Sequence, residues 1–198
     1  MKREIQTNKG FTLIELLTAV SIFLVVMTIS LGSVLGVFDV NRKSRVLKNA
    51  MTNVNVVLES MSKELRYGRY YHCDSGTGNS VPSSVAVHIA SMDADWNCTV
   101  TGGTGFIRFV SSDNQLITYR FNAQRIERRV GSSTWLRATS QEVSISSVTF
   151  QVRGETNIPP NDTRQPKVLI KIRATAGTGG EETDFTLQTI VSQRSSSY

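Results

Sequence analysis

Lys9-Gly10-Phe11-Thr12-Leu13-Ile14-Glu15 opens the stretch whose reading decides the fold, and an apolar run follows it directly. Residues 16–38 hold no charge. These 23 residues make ~34 Å of α-helix at ~1.5 Å per residue. A bilayer's hydrocarbon core is ~30 Å thick, so the run is long enough to cross one. Two features do not fit a plain apolar span. Glu15 lies inside the apolar start, and the segment ahead of Phe11 is short, polar and basic, with Lys2, Arg3 and Lys9 against Glu4.

A secretory signal has an apolar stretch of ~7–15 residues followed by a small-residue cleavage site. Here the stretch is longer and no such site follows it cleanly. A carboxylate at membrane depth is unfavourable without a partner or a purpose. Two readings fit. In one, the chain is an uncut signal anchor with Glu15 near the interface. In the other, the chain is cut after Gly10, and the new amine of Phe11 pairs with Glu15 of a neighbouring copy. A desolvated pair of that kind sets register more than it adds stability.

The run from Lys9 through Glu15 to Leu16-Leu17 resembles the class III signal of type IV pilins and type II secretion pseudopilins. The close resemblance covers roughly residues 1–40, and beyond it only the architecture is alike. It implies that a membrane-embedded prepilin peptidase cuts after Gly10 and N-methylates Phe11, and that Glu15 is the filament-assembly residue. The partners it implies are other pilin or pseudopilin subunits, the prepilin peptidase/methyltransferase and membrane lipid. An inner-membrane platform protein and an assembly ATPase follow indirectly. The implied location is the bacterial inner (cytoplasmic) membrane, single-pass, with the head outside the cytoplasm and the subunit incorporated into a filament or pseudopilus. Charge alone does not orient the span, because Lys2, Arg3 and Lys9 precede it while Arg42, Lys43, Arg45 and Lys48 follow it.

The expected fold class is α+β. A long N-terminal helix, membrane-spanning in its first half and amphipathic in its second, packs on a C-terminal antiparallel β-sheet head. Residues 1–10 form the leader, 11–38 the assembly helix, 39–67 its amphipathic continuation, and 68–198 the head, with a loop-rich insert at about 70–105. Leu47, Met51, Val54, Leu58, Met61 and Leu65 recur at steps of three and four, one apolar stripe on a helix. The helix is expected over about 11–67. Gly68 would end it by taking the left-handed conformation. Gly32 and Gly36 read either as a soft spot for stretching or as close helix packing. Major pilins often carry a proline where Gly32 stands, so the chain departs from them there. A short strand is expected at 85–89. Further strands follow at 106–110, 116–121, 125–130, 143–152, 167–174 and 184–192, and Trp135-Leu136 reads as a short apolar stop.

Cys73 and Cys98 are the only cysteines. In an exported domain two cysteines pair, so a disulfide is expected; two buried free thiols are the alternative. Catalytic chemistry finds little support. His72 stands beside Cys73, but nothing supplies a third, orienting group. Gly102, Gly103 and Gly105 lack the Gly-Lys-Ser/Thr end of a phosphate loop. No catalytic residue is assigned, and the chain does not read as an enzyme. Asp93-Ala94-Asp95-Trp96-Asn97 resembles the start of a calcium loop without its glycine or late glutamate. No cofactor or metal is therefore expected, calcium in the head being the one exception weighed. The net charge of +6 and pI near 9.6 belong partly to the leader. The remaining basic excess reads as solvation, so nucleic acid is not expected as a partner.

The function expected is a structural subunit of a type IV filament, in type II secretion or a type IV pilus. The loop-rich head and the missing proline favour a minor pilin or a pseudopilin. The alternatives are an unprocessed single-pass membrane-anchored binding module, or a component of a DNA-uptake pilus.

Overall fold

The computed structural model describes residues 10–73, 84–90, 98, 105–154, 165–177 and 182–194. Residues 1–9, the 93–97 motif, Gly102 and Gly103 lie outside the described residues. The helix α1 is Leu13–Arg66, 54 residues long. The chain divides into two units, Met1–Arg45 and Val46–Tyr198.

In the first unit every described residue is exposed. Its polar side chains turn back on their own helix: Ser21 Oγ donates to Leu17 O, Thr28 Oγ1 to Leu24 O and Ser30 Oγ to Val26 O, each at 2.8 Å. Such back-bonding leaves few polar groups for a surrounding medium to satisfy. The helix runs unbroken through Gly32 and Gly36, and no atom lies within 4 Å of a Cβ built on either.

In the second unit α1 buries Ala50, Val54, Val57, Leu58, Met61 and Leu65, with Leu47 and Met51 packed at the margin of the same core. The expected stripe is present, widened by Ala50 and Val57. It packs with the inner faces of two antiparallel sheets. The first has the order β1-β2-β3-β4-β5, built from Arg69–His72, Phe106–Val110, Leu116–Asn122, Arg125–Val130 and Leu136–Arg137. The second has the order β6-β7-β8, built from Val143–Arg153, Lys167–Ala176 and Thr183–Ser192. The head is thus two sheets rather than one. They are joined where Ile145 N donates to Gln124 O at 2.9 Å, in the turn after β3. β6 through β8 alternate, broken once by an irregularity between Ile145 and Ser147, with Phe150, Ile170, Ile172 and Val191 inward and mostly polar residues outward, Leu169 and Ile190 excepted.

Glu64 fastens α1 to the first sheet. Arg128 places Nη2 2.8 Å from Glu64 Oε1 and Nε 3.2 Å from Oε2, a bidentate pair. The Tyr119 hydroxyl donates to the same carboxylate at 2.8 Å. Burial, with Glu64 beside it, pushes the Tyr119 phenol well above its usual range, so it remains a neutral donor. On the sheet's other face the buried Glu127 accepts from Arg120 and Arg125 at 2.8 and 2.7 Å. Burial works against its charge, but these bonds and Asn122 hold its carboxyl below the usual range.

Three sequence expectations change. Residues 85–89 form no strand; α2, Val85–Ala90, is a short helix started by Ser84, whose Oγ accepts from Val87 N at 3.2 Å. A strand, β1, stands within the expected loop, and Leu136–Arg137 pairs as the edge strand β5. β1 carries Tyr70 at φ 57° and an irregular register, which hide it from any alternation rule.

Gly68 also has a different role. It is not among the residues at positive φ. A Cβ there would lie 2.6 Å from Phe109 Cδ2. The helix end is instead closed by tertiary bonds. The Tyr71 hydroxyl sits 2.5 Å from Leu65 O and 2.7 Å from Gly68 O, and Arg194 N donates to Arg66 O at 2.7 Å. Phe109 is fully buried and flanked by Tyr71 and Tyr119, so its ring has little room to retreat. Gly68→Ala should therefore destabilise the head by about 1–3 kcal/mol. Urea unfolding should show a lower midpoint, with partial recovery in Gly68→Ala/Phe109→Leu; an unchanged midpoint in the single variant counts against this packing.

Candidate functional site

The site begins at the first turn of α1. Thr12 stands one residue before the helix, and Glu15 is the third residue within it. Glu15 Oε2 accepts from Thr12 N and from Thr12 Oγ1, both at 2.9 Å, while Glu15 N donates to Thr12 Oγ1 at 3.4 Å. This is a reciprocal capping box, which satisfies amide groups that the helix itself leaves unpaired. Its signature, Thr-x-x-Glu ahead of an apolar run, stands in the sequence as Thr12-Leu13-Ile14-Glu15, within the motif that carries the resemblance.

Both cap bonds use Oε2. Among the described residues Glu15 Oε1 accepts none, and it remains open to a further donor. The carboxylate borders an apolar groove lined by Phe11, Leu16, Ala19, Val20 and Phe23. Phe11 is 89% exposed. The structure thus brings Phe11 and Glu15 to one groove, and Gly10 immediately precedes them, also exposed.

Residues 5–31 match the family described as the prokaryotic N-terminal methylation motif. No curated protein and no solved structure matches the chain. The class defined by the helix and its first turn is a membrane-capable, pilin-like subunit. The chain carries the prepilin signal of type IV pilins and pseudopilins, followed by a long helix and antiparallel sheets. That signal implies contact with prepilin peptidase and with other pilin subunits.

The other sequence candidates lie in the head. Cys73 and Cys98 are joined in a disulfide with their Cα atoms 5.6 Å apart, and both are buried. The disulfide leaves no thiol at Cys73 for His72 to activate. Among the described residues no three His, Cys, Asp or Glu side chains gather as metal ligands.

His88 on α2 is fully buried, and its Nε2 donates to Tyr70 O at 3.0 Å. The carbonyl can only accept, so Nε2 carries the proton. Burial pushes His88 down to about 4 against the pull of the Tyr70 carbonyl, and the nearby positive charge of Arg108 adds to the shift. The folded pKa lies below the unfolded one, so the unfolded chain takes up the extra proton first. Stability should be full above about pH 6.5 and fall as pH drops toward about 4, by up to ~1.4 kcal/mol per pH unit. Thermal unfolding at pH 7 and pH 5 tests this: the drop should shrink in His88→Gln. An equal drop in the variant would place the titration elsewhere.

Proposed function

We propose that the chain is a structural subunit of a type IV filament, a minor pilin or pseudopilin, serving type II secretion or a type IV pilus. Prepilin peptidase removes residues 1–10 after Gly10 and methylates Phe11. The subunit waits in the inner membrane as a single-pass protein with its head outside the cytoplasm. On extraction, the apolar faces of α1 exchange lipid for the helices of neighbouring subunits. Contacts of this head-to-tail kind do not close on themselves, so they propagate as a helical thread.

The observation that carries this reading is the open oxygen of Glu15. Oε2 is engaged by the cap, Oε1 has no partner among the described residues, and Glu15 lines the groove together with Phe11. A carboxylate with one oxygen fixed and the other open is oriented to receive the cationic amine of a neighbouring subunit. The ion pair then sets the axial step, because both groups are desolvated among apolar side chains.

The same cap favours a second reading. Glu15 is already hydrogen-bonded within its own chain, as an uncut anchor for a binding module would require. Glutamine separates the two readings. Glu15→Gln keeps an acceptor for the cap but loses the charge. Under filament assembly both Glu15→Gln and Glu15→Ala reach the membrane at normal levels and fall at least tenfold in sheared filaments. Normal incorporation of Glu15→Gln would reduce Glu15 to a helix cap.

A further inference from the structure

The outer face of the three-stranded sheet carries a column of positive charge that folding does not explain. Its four exposed cations are Arg153 on β6 and Lys167, Lys171 and Arg173 on β7. None of the four makes an ion pair among the described residues. The first sheet handles its arginines differently: Arg120 and Arg125 close on Glu127, and Arg120 also lies 3.8 Å from the Trp135 ring centroid.

The ordinary uses of strand cations do not account for this column. Lysine often guards a sheet edge against unwanted pairing. β7 is the central strand, paired on both sides, so three of the four cations guard no edge. Among the described residues no cross-strand salt bridge accounts for them either. Arg173 lies between Ser147 and Thr186, and Lys171 between Thr149 and Gln188. Lys167 stands directly opposite Arg153, a like-charge pairing that weakens a sheet. Among the described strand residues the one carboxylate on this face, Asp184, accepts from Thr175 Oγ1 at 2.6 Å.

What the face offers is therefore positive charge flanked mostly by hydroxyl and amide groups, with one apolar pair, Leu169 and the exposed Ile190, between Lys167 and Lys171. From Lys167 to Arg173 the column extends about 20 Å at ~3.3 Å per strand residue. No aromatic side chain lies on it among the described residues, since Phe150 and Phe185 point into the core. Single strands and sugar rings are commonly held by stacking on aromatics, so their most common anchor is missing. A polymer with closely spaced phosphates needs only cations and hydrogen-bond donors. Phosphates are contacted by lysine, arginine, serine, threonine and glutamine side chains, the residue types present here.

We propose that this face binds the phosphodiester backbone of duplex nucleic acid without sequence preference. The net charge of the whole chain carries no such message; the placement of four cations on one side of one sheet does. The surface lies wholly in the second unit and does not depend on filament assembly.

The test uses the full-length protein in an uncharged detergent and a labelled duplex DNA fragment, read by fluorescence anisotropy. Four phosphate contacts give a slope of log K against log salt of about −3.6, a roughly 150-fold loss of affinity between 50 and 200 mM salt. Lys171→Gln/Arg173→Gln should bring the slope to about −1.8 at both of two unrelated DNA sequences. Its thermal midpoint should match the wild type, because both side chains are exposed and make no ion pair among the described residues. Lys167→Gln should weaken binding while raising the midpoint slightly, by removing the like-charge pair. Absence of binding at 50 mM salt, or an unchanged slope in the double variant, would overturn the proposal. Tighter binding to alginate at equal charge concentration would also overturn it, assigning the face to acidic polysaccharide.

Discussion

Residues 16–38 form helix without a charge on any side, and that imposes the main constraint on this protein. Every described side chain there is exposed in the single chain. Full burial of one large aliphatic or aromatic side chain is worth roughly 1.5–3 kcal/mol, so the run as a whole strongly disfavours water. Only lipid or copies of similar helices can cover such a surface. Lipid covers it equally on all sides and gives no register. A bundle of helices covers it too, but needs something to fix the axial step. Among the described residues Glu15 is the only ionised side chain at the head of the run, held by its cap at the edge of the Phe11 groove.

The head is built around a different requirement. The second half of α1 needs a surface on which to lay its apolar stripe, and the inner faces of two sheets provide it. Polar contacts then fix where the helix lies and where it stops. Glu64 is gripped by Arg128 and Tyr119, and the last helical carbonyls are closed by Tyr71 and Arg194. The end of the helix is thus tied both to β1, which follows at once, and to Arg194, just after β8. Such contacts, distant in sequence, appear only when the head is complete.

Much of this was legible in the sequence because the periods are strong. Steps of three and four from Leu47 to Leu65 mark a buried helix face, and alternation marks β6 to β8. What escaped was set by tertiary contact or by short local signals. Val85-Ala86-Val87-His88-Ile89 alternates like a strand, yet Ser84 caps it as a helix and burial falls on His88. Gly68 looks like a helix stop, but its lack of a side chain serves Phe109, a neighbour 41 residues along the chain. The split into two sheets depends on pairing between distant segments, which no window of residues reveals. At the site, Gly10, Phe11 and Glu15 were readable from one motif. The capping role of Thr12 was equally readable, and it was masked by the more specific signal that overlaps it.

The central claim is that trimming creates a cation beside Phe11 that a neighbour's Glu15 receives within an apolar bundle. Intact-mass and N-terminal peptide mass spectrometry on the native, membrane-derived protein tests it most directly. The account predicts a chain that begins at N-methylated Phe11. A working protein that retains Met1 and the rest of the leader would contradict it.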